Sequence, residues 1–177
     1  LNPASVEQSM LRPSMLPGLL SAVKHNIDYN TPEINAFEIG RIHLRDKGHY
    51  KELFMVGVIL TGNISPHYWG TNYRCVEFFD LKGIIENLLE GMDFTEVTFS
   101  PTQLRSLHPG RQAAILIKGN NVGSLGEVHP SVVRKMNIPS PVYFAELNLN
   151  ALLEMRRPTP NFKELPQYPS SERNWTV

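Results

Sequence analysis

Four consecutive residues, His108-Pro109-Gly110-Arg111, hold the strongest candidates for chemistry. Arg111 offers a planar fork of donors that suits a phosphate or a carboxylate, and His108 adds a second donor. A ligand-free reading explains the same residues. Pro109-Gly110 bends the chain, and Arg111 pairs with an acid on a neighbouring strand. Further on, Glu127 and His129 alternate within GSLGEVHP. Alternate strand residues face one side, so the two could act as an acid–base pair. His129 before Pro130 more simply ends a strand and opens a helix. The glycines Gly123 and Gly126 match neither a phosphate loop nor a dinucleotide fingerprint. Glu38 and Arg41 flank Gly40. That pattern reads as a surface ion pair or a bulge, with a ligand-reading Arg41 as the sharper alternative.

The remaining candidates are weaker. His25, His43, His49 and His67 form no ligand spacing, so no metal site is expected. Cys75 has no histidine beside it in sequence to act as a base. Asn63-Ile64-Ser65 and Asn174-Trp175-Thr176 match the glycosylation acceptor pattern by chance in a cytosolic chain. Arg156-Arg157 could touch RNA, but two charges are little for that purpose. No catalytic constellation emerges from residue types and spacing.

Composition narrows the classes. The chain has 177 residues, 41% of them apolar, enough for one domain with a real core. Seventeen basic residues balance 17 acidic ones, against a dedicated non-specific nucleic-acid binder and against an acidic disordered chain. No apolar run approaches the roughly 20 residues that cross a bilayer. A single cysteine excludes an internal disulfide and fits a reducing, cytoplasmic compartment. No secretory leader is visible. The chain starts without Met and stops at Trp175-Thr176-Val177, so both ends read as cut from a longer protein.

Periodicity supplies the elements that would position these side chains. Residues 1–16 read as an irregular lead. Pro17 suits the first turn of a helix to Asp28, with Leu16, Leu19, Leu20, Val23 and Ile27 on one face. Residues 36–44 read as a strand. Residues 52–61, nearly all apolar, read as a central strand covered on both faces. Asp80 to Leu89 forms the clearest helix, with Asp80 as N-cap, Leu81, Ile84, Ile85, Leu88 and Leu89 as its apolar face, and Gly91 as a left-handed stop. Strands follow over 94–99, 112–118 and 123–128, with Asn120-Asn121 as the tight turn between the last two. A short helix covers 130–136, a strand 142–147 and a last helix 148–155. Six strands and four helices with mostly hairpin connections predict an α+β fold, an antiparallel sheet flanked by helices. After Arg156-Arg157 the chain is Pro-rich, as a linker would be.

Six segments, in this order, resemble the beta subunit of bacterial phenylalanine–tRNA ligase. They are LNPASVEQSMLRPSMLPGLL, FEIGRIH, FFDLKGIIENLL, LHPGRQAAI, GSLGEVHP and YFAEL. The closing YPSSERNWTV resembles the start of that subunit's ferredoxin-like anticodon-binding domain. The family's usual Arg-Asp is here Arg173-Asn174. The resemblance implies a degenerate copy of the class II aminoacyl-tRNA synthetase core over residues 1–155. Residues 156–177 would then hold the linker and the first residues of the next domain.

The resemblance also implies no catalytic, cofactor-binding or metal residue of the chain's own. The active copy lies in the alpha subunit. ATP and Mg²⁺ belong to the holoenzyme, a heterotetramer of two alpha and two beta subunits acting on tRNA in the cytoplasm. The glycine-rich stretch ending in Arg that holds ATP in active class II domains has no counterpart near Ala145 to Arg157. The motif 2 arginine of active domains has only Arg41 as a nearby candidate, and it sits differently. The family's editing site and magnesium carboxylates lie in segments upstream of Leu1. Two other readings stand beside this one. One is a stand-alone phosphate- or nucleotide-binding domain using Arg111 with His108 or His129. The other is an RNA-binding module built on Arg156, Arg157 and the linker.

Overall fold

The apolar run over residues 52–61 lies between two packed layers. The structure, a computed structural model, describes residues 10–46, 48–64, 74–156 and 175. The element order is α1 (Leu16–Asp28), β1 (Ile34–Asp46), β2 (His49–Thr61), α2 (Phe78–Gly91), β3 (Val97–Pro101), β4 (Leu107–Ile117), β5 (Asn120–Val128), α3 (Pro130–Lys135), β6 (Val142–Asn148) and α4 (Leu149–Met155). The strands form one sheet in the order β1-β2-β6-β5-β4-β3. Every neighbouring pair is antiparallel. Among the described residues the fold is α+β, an antiparallel six-stranded sheet flanked by four helices.

Alternation on β2 builds two cores, one on each face. Val56, Val58 and Leu60 point to the face covered by α2 and α4, meeting Leu81, Ile85, Leu89 and Leu152. Met55 and Ile59 point to the other face, under Leu16, Leu19, Leu20 and Val23 of α1 and Val133 of α3. That double burial is why the segment shows no polar alternation. Each fully covered Leu or Ile contributes about 1.5–3 kcal/mol relative to exposure.

Several local details differ from the sequence reading. In α2 the N-cap is Glu77, with extended backbone, and Asp80 sits three residues later. Asp80 accepts the Glu77 N–H at 2.8 Å, so it closes the cap from inside the first turn. Gly91 is the last helical residue, and the left-handed conformation falls on Asp93 at φ 66. Of the expected apolar face, Leu81, Ile85 and Leu89 are buried, whereas Ile84 and Leu88 are exposed. The strand expected over 94–99 runs from Val97 to Pro101.

The β4–β5 turn is Lys118-Gly119, at φ 50 and 79, the two-residue loop whose positive angles match strand twist. Asn120 and Asn121 already belong to β5. There the Asn121 side chain accepts the Gly123 N–H at 3.0 Å, beside a shift in pairing register. The residues 108–111, expected in a turn between strands, lie inside β4. The Pro-rich stretch from Pro158 onward lies outside the described residues.

Candidate functional site

Residues 108–111 leave the ladder because the pairing jumps. Leu107 pairs with Val128 and Gln112 with Gly126. Four residues of β4 therefore face the single Glu127 of β5, a bulge larger than the usual two residues against one. The bulge re-aims Arg111, whose Nη1 donates to Glu127 Oε2 at 2.6 Å. The Glu127 side chain is buried, while Arg111 remains more than half exposed. The hydrogen bond it donates to Glu127, followed by the Glu127 charge, holds the Arg111 guanidinium above its ordinary pKa. A buried carboxylate needs such a partner. This is the ligand-free alternative of the sequence reading: Arg111 pairs with an acid on the adjacent strand.

Beside the pair lies a cavity of about 780 Å³ lined by Arg111, Glu77, Phe78, Phe99, Pro109 and Tyr143, among others. Burial, then the nearby Glu127 charge, pushes the Tyr143 hydroxyl pKa up. His108 turns its Nδ1 back to accept the Gly110 N–H at 3.1 Å. That nitrogen is spent within the bulge. The neutralising Glu127 also opposes a second anion at Arg111. The two residues are thus not aimed together at a phosphate.

The other candidates are also placed in pairs and caps. Glu127 and His129 do not meet as acid and base. His129 caps α3, its Nδ1 accepting from Ser131 N at 3.2 Å. Glu38 and Arg41 have separate partners: Arg12 lies 2.8 Å from Glu38, and Arg41 lies 2.8 Å from Glu52 on β2. The β1–β2 register through Gly40 is unbroken, so no bulge forms there. His43 Nε2 is 3.4 Å from Glu52, and its buried Nδ1 has no hydrogen-bond partner among the described residues. The His25 ring packs on Tyr29. His49 is exposed at the start of β2. The exposed Cys75 places Sγ 3.7 Å from Asn63 Oδ1. Arg156 is exposed at the end of α4. His67, Arg157, Ser65 and Asn174 lie outside the described residues. Among the described residues, no three His, Cys, Asp or Glu side chains converge to hold a metal ion. None of their helices is long and apolar enough to cross a membrane.

Two polar joints escaped the sequence reading. Arg74 clamps Asp80 with two hydrogen bonds, both 2.6 Å. The clamp holds the Asp80 carboxyl below its usual pKa. Glu146, on the central strand β6, accepts from Ser14 Oγ at 2.6 Å and from Met15 N at 3.4 Å. It ties the lead segment and the start of α1 to the sheet. A carboxylate beside a helix start is favoured by the helix dipole. Burial nevertheless dominates and raises the Glu146 pKa. The signal was an acid inside the apolar run VYFAEL.

The raised pKa sets a sign. The fold prefers protonated Glu146, so this contribution is full below the unfolded carboxyl value. It is lost as pH rises through the elevated folded value. The stability of wild type relative to Glu146→Gln should therefore fall as pH is raised from about 4. Urea unfolding of both proteins across that range tests this. Parallel curves would show that Glu146 titrates as it does in the unfolded chain.

Residues 1–149 match the family described as the phenylalanyl tRNA synthetase beta chain CLM domain. A phenylalanine–tRNA ligase beta subunit of Protochlamydia amoebophila is 45% identical over 176 residues, 99% of this chain and 22% of that protein. The beta subunit of Bacillus licheniformis is 38% identical over 97% of the chain and 22% of its own length. That of Symbiobacterium thermophilum is 36% identical over 99% of the chain and 20% of its own length. The chain spans about a fifth of the relatives it matches.

Proposed function

This chain belongs to the phenylalanyl-tRNA synthetase beta chain family, and from that premise we propose that it is a non-catalytic core domain, a degenerate class II synthetase fold. Its role is to assemble with the alpha subunit of the ligase. The assembly, a cytoplasmic heterotetramer of two alpha and two beta subunits, attaches phenylalanine to its tRNA at the expense of ATP. The observation that carries this reading is how the candidate reactive groups are engaged. Arg111 is neutralised by Glu127, His129 caps α3, His108 holds its own bulge, and Arg41 pairs with Glu52. Charged side chains spent on each other stabilise a scaffold and leave little for a substrate.

ATP and Mg²⁺ do not fit the residues present. Residues 145–157 contain no glycine with which to cradle a nucleotide. Among the described residues no cluster of carboxylates is grouped for a metal. We propose no catalytic, cofactor or metal residue in this chain. The competing reading, a nucleotide site using Arg111 and His108, would need Arg111 freed from Glu127.

Calorimetric titration with MgATP, followed by phenylalanine, separates the two. The scaffold reading expects no heat of binding. Micromolar binding lost on Arg111→Ala would establish the nucleotide site instead.

A further inference from the structure

A strap of irregular chain, residues 10–15, crosses the sheet on the face that carries α1. The register shows what lies beneath it. Glu38 of β1, Gly57 of β2, Glu146 of β6 and Ser124 of β5 stand side by side in one cross-strand row. Directly opposed residues point to one face of a sheet. The row therefore presents two carboxylates with a bare glycine between them.

The strap fills that row from above. Arg12 lies 2.8 Å from Glu38, and Ser14 Oγ donates to Glu146 at 2.6 Å. Between them Met15 packs where Gly57 has no side chain. A Cβ on Gly57 would lie 2.9 Å from the Met15 Cβ, and one on Gly40 would collide with the Arg12 guanidinium. Two further bonds hold the β1 end. His43 N donates to the Arg12 carbonyl oxygen at 2.9 Å, and Arg12 Nε donates to the Arg41 carbonyl oxygen at 3.0 Å.

The two carboxylates are not equivalent. Glu38 has the Arg12 cation. Glu146 has the Ser14 hydroxyl and the Met15 N–H, and no ion-pair partner among the described residues. The charged groups near it are Arg12, already engaged by Glu38, and Glu38 itself beyond Gly57. Gly57, Ser124 and the first turn of α1 bring no charge. Small neighbours on β2 and β5 leave the strap as the cover over Glu146.

A carboxyl covered without a cation prefers to be neutral, and uncovered it returns to its ordinary pKa. The closed strap therefore holds a proton more tightly than the open one. By linkage, closure is favoured at low pH and opposed as pH rises past the ordinary carboxyl value of about 4. The raised Glu146 pKa, caused first by burial, has the matching direction. Neutral Glu146 keeps both contacts: one oxygen accepts the Met15 N–H, and the other donates its proton to Ser14 Oγ.

We propose that residues 10–15 form a proton-controlled latch, closed over the row while Glu146 is protonated and lifting from the sheet when Glu146 is ionised. The latch does not depend on assembly with the alpha subunit.

The test uses the full-length beta chain in complex with its alpha subunit. Hydrogen exchange, corrected for the intrinsic pH dependence of amide exchange, reads the protection of the strap and of the His43 N–H. From about pH 5 to about pH 8 that protection should fall at least about fivefold, while the amides pairing β5 with β6 keep theirs. Glu146→Gln preserves the shape and does not titrate, so its strap should stay equally protected across the range. Ser14→Ala removes a donor that favours the ionised carboxylate under the closed strap. Its fall should therefore be larger than that of wild type. Ser14→Ala decides should Glu146→Gln not fold. A flat wild-type profile overturns the latch. So does a fall that is the same in Glu146→Gln, or one that Ser14→Ala leaves unchanged.

Discussion

Gly123→Ala is expected to destabilise the protein by about 3 kcal/mol, lowering its melting temperature by roughly 6–12 °C. Gly123 lies on β5 opposite Leu147 of β6. A Cβ there would sit 2.2 Å from the Glu146 carbonyl oxygen and 3.0 Å from the Leu147 Cα. Both obstacles are backbone atoms of a central strand, so no rotamer change relieves the clash. The two strands must separate where the sheet is covered on both faces. A folded domain holds only about 5–15 kcal/mol in total, so this single methyl removes a large share. Gly83→Ala is the control, because a Cβ there meets nothing within 4 Å. In the middle of α2 it should stabilise by about 0.5–1 kcal/mol. Thermal unfolding of the two variants decides the matter. A Gly123→Ala protein melting within about 2 °C of wild type would mean that β5 and β6 are not this close.

Leu89→Ala and Leu88→Ala should differ sharply despite being neighbours. Leu89 has no exposed surface and packs with Leu81 and Ile85 under α2. Its truncation leaves a cavity against the sheet and should cost about 2–5 kcal/mol. Leu88 is 37% exposed on the wall of a groove between α2 and β1. Its truncation should cost less than about 1 kcal/mol in the isolated domain. Chemical denaturation of both variants reads the difference. Equal losses would show that α2 is rotated from the orientation described.

These two cases also show how far the residues alone could be read. The helix of residues 78–91 was legible because apolar residues recur at helical spacing. The spacing drew Ile84 and Leu88 into the same face as Leu81, Ile85 and Leu89. A stripe that broad serves two surfaces, and periodicity does not distinguish a core from a groove. The doubly buried β2 was legible because both cores demand apolar residues. Strand limits were less so. Pro109 and Gly110 read as a turn because a local signal cannot reveal that β5 runs past a bulge. The Asn120-Asn121 pair looked like the turn because asparagine tolerates positive φ. The adjacent Lys118-Gly119 took it instead, with Gly119 supplying one of the two angles.

The Arg111–Glu127 pair was half visible. Arg111 was expected to meet an acid on a neighbouring strand, but Glu127 was set beside His129 by alternation. Only the register, four residues against one, brings Glu127 to Arg111. Glu146 was invisible as a joint because its partners, Ser14 and Met15, lie more than 130 positions away. Long-range polar contacts of that kind leave no periodic trace.

The most direct test of the scaffold account is a count of active sites in the assembled ligase. A first-turnover burst, measured with labelled ATP and phenylalanine, reports how many equivalents of ATP react per alpha–beta pair. One equivalent is predicted, because chemistry belongs to the alpha subunit and this domain only supports it. Two equivalents per pair, with one lost on Arg111→Ala in the beta chain, would contradict the account and make this domain a second catalytic centre.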